Sequence, residues 1–163
     1  MNDALLNAPK LVIESGANSF EWLAFARPFA NATSDWDRDA IDCQLKFTSN
    51  NGTQYAYDTL FSHEIWNLAN QLRLISETRE YPMRARYRTR SYVFALQVEV
   101  QSAEDVRIEL TLRPNPEESG QFSFAGRFSQ RDTERWLGEA RGILERFPIQ
   151  LPAPEPREPL DIW

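Results

Sequence analysis

Residues 34–47 read SDWDRDAIDCQLKF. The second half alternates: Ile41, Cys43, Leu45 and Phe47 share one parity, and Asp42, Gln44 and Lys46 share the other. Alternation at period two predicts a half-buried strand with its apolar set on a core. The first half sets Trp36 among Asp35, Asp37 and Asp39. An acidic loop carrying an aromatic residue therefore feeds straight into a core strand.

Downstream, Asn51-Gly52 favours positive φ and predicts a type I′ hairpin, with a returning strand over 53–57. A helix is predicted over 63–76. Ser62 suits its N-cap, Phe61 a staple onto Trp66, and Ile65, Leu68, Ala69, Leu72 and Ile75 recur at helical spacing. Over 83–100, Arg84, Arg86, Arg88 and Arg90 share a parity that turns apolar from Tyr92 through Phe94, Leu96, Val98 and Val100. One flat strand cannot send both sets into a core, so a turn or bulge near Arg90, or an overhanging first half, is required. Val106, Ile108, Leu110 and Leu112 mark a further strand, and Phe122, Phe124 and Phe128 another. A second helix is predicted over 130–146, capped by Ser129 with Asp132 at the capping-box position. Gly138 and Gly142 weaken it and offer close contact with a sheet. Pro148 stops it, and a proline-rich tail follows over 148–163, with Leu160, Ile162 and Trp163 apolar enough to dock.

Upstream, residues 1–9 form a lead-in and 11–14 a short strand. Residues 19–27 are apolar on both parities, which requires cover on both faces or a bulge. The order is strands, helix, strands, helix. Phe61-Ser62 and Phe128-Ser129 open the two helices alike, a hint of two similar halves. The expected fold is α+β: an antiparallel sheet of about six to eight strands covered by two helices, in one domain over 1–147.

The 163 residues carry a net charge of −6, which argues against general binding to nucleic acid or anionic membranes. No stretch reaches the roughly 20 apolar residues that span a bilayer. The N-terminus has neither a basic start nor a long apolar run, so the cytoplasm is the expected compartment. Asn31-Ala32-Thr33 and Asn51-Gly52-Thr53 fit the glycosylation pattern but read as turn residues in that setting. Cys43 excludes a disulfide within the chain, and its parity makes it a buried, inert thiol.

No catalytic or metal-binding set emerges, and no cofactor is expected. His63 is the only histidine, placed in the first turn of a helix where exposure is expected. Asp35, Asp37 and Asp39 stand at positions one, three and five of an EF-type loop. Position six, which needs glycine, is Ala40, and position twelve, which needs glutamate, is Lys46. A solvated acidic loop is the better reading, and carboxylates beside an exposed Trp36 suit a basic protein partner. The arginine run at Arg84, Arg86, Arg88 and Arg90, interleaved with Tyr87 and flanked by Tyr81 and Tyr92, has the composition of a nucleic-acid footprint. A charged edge strand is the competing reading, and the acidic whole favours it.

Taken together, the FEWLAF segment, the Asp35-Trp36-Asp37 loop running into the strand to Phe47, the helix after the hairpin, the paired strands and a last helix ending at Phe147-Pro148 resemble the WapI-type immunity proteins over residues 11–148. These are small bacterial proteins encoded beside polymorphic toxins, which they neutralise by binding. The chain departs from the family pattern at Asp39 and Ala40, where a small polar residue and an aromatic are usual, and in its arginine run and proline-rich tail. The resemblance implies a non-enzymatic cytoplasmic inhibitor whose partner is a cognate toxin domain. Asp35, Trp36, Asp37 and Asp39 are the candidate partner-binding residues. Two alternatives stand beside it: a nucleic-acid-associated module acting through the arginine run, and an enzyme built on a carboxylate site in which Asp35, Asp37 or Asp42 converges with glutamates.

Overall fold

A computed structural model describes residues 7–115 and 120–150. The first sheet is an antiparallel meander of β1 (Lys10–Ser15), β2 (Asn18–Ala26), β3 (Ala40–Ser49) and β4 (Gly52–Phe61), paired in chain order. A short helix α1 (Asp35–Asp39) lies in the β2–β3 connection, and α2 (Ser62–Glu77) follows β4. The second sheet repeats the plan with β5 (Met83–Arg88), β6 (Phe94–Ser102), β7 (Asp105–Leu112) and β8 (Phe122–Phe128), followed by α3 (Gln130–Arg146). The α+β class and the order of elements are as expected. The eight strands divide into two sheets because α2 carries the chain away between β4 and β5. Each half is thus four strands and a helix, and the Phe-Ser dipeptides mark equivalent places in the two halves. The tail beyond residue 150 and residues 1–6 lie outside the described residues, as do Leu160, Ile162 and Trp163.

The inner faces of the sheets meet across one core. In β3, Ile41, Cys43, Leu45 and Phe47 are all buried, as their alternation predicts. Phe20 stacks on Phe94 at 4.7 Å, Trp22 meets Phe94 edge-on at 5.6 Å, and Phe47 stacks on Phe124 at 5.8 Å. Burying one such ring fully stabilises the fold by roughly 1.5–3 kcal/mol. The helices pack on each other, α2 also touching β4 and β5, and α3 lying along β1. There Glu139 accepts the Val12 N–H at 2.8 Å and so caps an edge strand.

Local irregularities answer the awkward stretches of sequence. The pairing of β2 with β3 shifts register between Ala24 and Ala26, a bulge that leaves Phe20, Trp22 and Ala24 inside and Leu23 and Phe25 half-buried. The arginine strand ends at Arg88, and a turn over 89–93 resets parity, with Tyr92 at φ +63°. The hairpin after β3 forms where expected, but not as type I′. Ser49 already pairs with Gly52, and the positive φ, +120°, falls on Gly52 rather than on Asn51. The N-cap of α2 is Phe61, not Ser62. The Ser62 hydroxyl instead donates to the Phe147 carbonyl at 2.9 Å, and the Phe61 ring turns to Trp36 and His63 rather than to Trp66. On α3 the expected capping box is present: Ser129 N–H donates to Asp132 at 2.8 Å, and Ser129 Oγ accepts from Asp132 N–H at 3.4 Å. Gly138 and Gly142 do not serve close packing, since a Cβ at either would meet open space.

Gly126 is the glycine that packing requires. A Cβ there would lie 2.7 Å from Ser15 Oγ and 2.7 Å from the Phe128 ring. That ring is held edge-on against Trp136 at 4.9 Å and has little room to yield. Gly126→Ala is expected to destabilise by about 1–3 kcal/mol, a Tm loss of roughly 2–12 °C in a domain of this size. Thermal denaturation followed by circular dichroism measures it, and an unchanged Tm would show that Phe128 can move aside.

Candidate functional site

The acidic segment does not stay a loop. Ser34 takes an extended conformation at the N-cap, and Asp35 and Asp37 fall in the first turn of α1, where carboxylates complement the helix dipole. Arg38 pairs with Asp35. Asp35, Trp36 and Asp37 are exposed, whereas Asp39 has no exposed surface. Asp39 therefore cannot meet a partner directly. The sequence holds only a hint of this: Asp39 abuts the strand and shares the inward parity of Ile41, Cys43, Leu45 and Phe47, but Asp35 and Asp37 share that parity too.

Beneath the helix, Asp39 is a hub. Its Oδ2 accepts the His63 backbone N–H at 3.2 Å and lies 2.8 Å from His63 Nδ1, and its Oδ1 accepts the Gln150 N–H at 2.8 Å. Burial works to raise the Asp39 pKa. The hydrogen bonds from His63 and Gln150 outweigh it and leave the carboxyl below its ordinary value. Arg27 joins the same pieces from the side, donating to the carbonyls of Arg38 and Pro148 and to Ser62 Oγ. The end of α1, the start of α2 and the segment after α3 are thereby tied together.

His63 is buried rather than exposed, because Asp39 draws it inward. Its ring stacks on Phe61 at 5.4 Å and meets Trp36 edge-on at 5.2 Å. Among the described residues, no hydroxyl or thiol hydrogen-bonds its other nitrogen, so the arrangement holds a ring in place and offers no relay to a nucleophile. The Cys43 thiol is buried in β3 and its pKa is pushed up to about 12, mainly by burial. Among the described residues, no group of three His, Cys, Asp or Glu side chains is placed to hold a metal ion. Asp42 hydrogen-bonds Thr59 across the first sheet at 3.0 Å, away from the core.

Above the hub lies an aromatic surface. Trp36 is 49% exposed, edge-on to Phe61 at 5.9 Å, with the Arg90 guanidinium 5.1 Å above its ring. Glu64 positions Arg90: one carboxylate oxygen accepts the Arg90 N–H at 2.6 Å and the other accepts the Phe61 N–H at 3.0 Å. Burial raises the Glu64 pKa, against the pull of these N–H bonds. Phe61 shares the outward parity of β4 with Tyr57 and Tyr55, which are 68% and 49% exposed. Tyr92, also exposed, lies under the Arg88 guanidinium at 4.0 Å. Tyr55, Tyr57 and Phe61 escaped the sequence reading, although their alternation along β4 was the available signal.

The arginine run divides. Arg84, Arg86 and Arg88 stand on the outer face of β5, while Arg90 leaves the strand and caps Trp36. The tyrosines divide as well. Tyr92 stays beside Arg88, whereas Tyr87 points inward, buried, and donates to the Glu64 carbonyl at 3.0 Å.

No helix among the described residues is long and apolar enough to cross a membrane. No curated protein matches the chain. A solved structure described as that of the plant transcriptional regulator PBF-2 is similar, with 7% sequence identity, a TM-score of 0.41, and coverage of 85% of this chain and 81% of the other. At that score the likeness carries no argument. The family model described as "Immunity protein WapI-like family" matches residues 13–148.

Proposed function

Given that the chain belongs to the WapI-like immunity protein family, we propose that it is a non-enzymatic inhibitor that binds a cognate bacterial toxin domain and occludes it. The binding surface is the outer side of α1 with the adjoining face of β4: Asp35, Trp36 and Asp37, then Arg90, Tyr57 and Tyr55. The observation that carries the choice is Trp36, a large ring left half in solvent on a helix fixed from below by the buried Asp39. Tryptophan, tyrosine and arginine are the residues that most often dominate binding energy, and a rigid platform spares the entropy of ordering them. Asp35 and Asp37 give the surface a negative rim that steers a basic partner toward it.

Co-expression with the product of the adjacent upstream gene tests the reading. A product that is toxic alone, harmless beside this chain and co-purified with it is the expected result. A neighbour that stays toxic, or is harmless by itself, would overturn it. Replacing Asp35 and Asp37 together by Asn is expected to slow association with the toxin by about 3- to 10-fold at low salt and to flatten its salt dependence. Stopped-flow binding at two ionic strengths measures this, and unchanged rates would place the interface elsewhere.

A further inference from the structure

The outer face of the second sheet is a different kind of surface. Cross-strand register sets Arg84, Glu99, Arg107 and Arg127 in one row, and Arg86, Gln97, Glu109 and Ala125 in the next. These rows line a concavity of about 690 Å³, closed at one rim by Ser15 where the end of β1 meets β8. Four arginines face two glutamates there, in a chain whose net charge is −6. Arg84 is engaged by Glu99 at 3.0 Å and Arg107 by Asp105 at 3.2 Å. Among the described residues, Arg127 has no ion-pair partner. The basic character that the sequence places on β5 alone is therefore assembled from three strands, and β8 contributes an arginine that no local pattern singles out.

We propose that this concave face is a docking groove for an extended, acidic protein segment. Guanidiniums are planar forks that take carboxylates in pairs of parallel hydrogen bonds. Neighbouring strands lie about 4.8 Å apart, so the row of Arg84, Arg107 and Arg127 runs for about 14 Å across the sheet. An extended peptide laid along that row, across the strands, presents same-face side chains about every 6.5–7 Å and spans it with three carboxylates, Arg86 flanking the row one step along β5.

Two features select a peptide over nucleic acid. No aromatic residue on which a base could stack lines the concavity, its uncharged outward members being Gln97 and Ala125, and the exposed Tyr92 lies beyond it under Arg88. Glu99 and Glu109 sit within it, where a continuous run of phosphates would be repelled and a peptide of mixed sequence is accommodated. The groove is distinct from the α1 surface, so its failure leaves the toxin-binding reading intact, and the reverse also holds.

Fluorescence anisotropy with a labelled octapeptide of alternating glutamate and serine tests it on the full chain, with a labelled lysine–serine octapeptide and a thymidine oligonucleotide as comparison probes. Saturable binding of the glutamate–serine peptide that weakens with salt is expected. Arg86→Glu with Arg127→Glu should weaken it by at least about tenfold, while Arg141→Glu with Arg146→Glu, an equal charge reversal at exposed positions of α3, should change it less than about twofold. Arg86→Gln with Arg127→Gln serves as the gentler pair should the reversal disturb folding, which a thermal melt reports. Absence of binding by the glutamate–serine peptide, equal loss in the α3 double variant, or tighter binding of the oligonucleotide through the same two arginines would each overturn the proposal.

Discussion

Asp39→Ala will lower stability at neutral pH by about 3–5 kcal/mol, a fall in Tm of roughly 6–20 °C for a domain of this size. The substitution strands three donors at once: the His63 N–H, the His63 ring nitrogen and the Gln150 N–H. The two His63 donors cannot reach water easily, because His63 is buried with the carboxylate it faces, whereas Gln150 is exposed. The pH dependence separates this from simple loss of packing. The Asp39 pKa is lowered in the folded chain, so the folded state releases that proton more readily than the unfolded one. Its contribution is complete above the ordinary carboxylate range and disappears as the pH falls through the lowered value. The gap between the natural chain and the variant should therefore narrow on acidification. Urea denaturation at a series of pH values checks this, and a gap that stays constant to low pH would mean that the carboxylate is not what holds the three elements together.

Trp36→Ala should weaken toxin binding by about 30-fold to several hundred-fold, the range spanned by tryptophan hot spots worth about 2–4 kcal/mol. The variant should still fold, with a stability loss of about 1–3 kcal/mol that a melt registers. Trp36 contributes an edge-on contact with His63, another with Phe61 and the stack under Arg90, each worth roughly 0.5–1.5 kcal/mol at a half-exposed site. Isothermal titration against the cognate toxin, beside a thermal melt, distinguishes the two effects. An affinity within twofold of the natural chain would remove α1 from the interface.

What the sequence disclosed, and what it hid, follows from the range of the forces involved. The alternation of β3 and the Ser129 capping box depend on neighbours a few residues away, and both read correctly. Asp35, Asp37 and Asp39 look alike in one dimension, yet one of them is inside. Its partners lie 24 and 111 residues downstream, and only the parity of the following strand hinted at the direction it takes. His63 was misplaced for the same reason, since a first-turn position normally faces solvent and a distant carboxylate overrode that preference. The arginine groove was half legible. Alternation put Arg84 and Arg86 on an outer face, but only the registers of β5 with β6, β6 with β7 and β7 with β8 bring Arg107 and Arg127 into a row with Arg84.

The division into two meander-and-helix halves has a kinetic meaning. Inside each half every strand pairs with its neighbour in the chain, so loop closure is short and its entropy small. The long-range cost is concentrated in joining the halves: α3 must return to β1, where Glu139 meets Val12 across 127 residues, and Ser62 must meet Phe147 across 85. The closure entropy that folding must overcome is thus largest where the two halves dock. A newly made chain can build its first sheet while the second is still being synthesised, and the α1 platform is completed only when the last helix arrives.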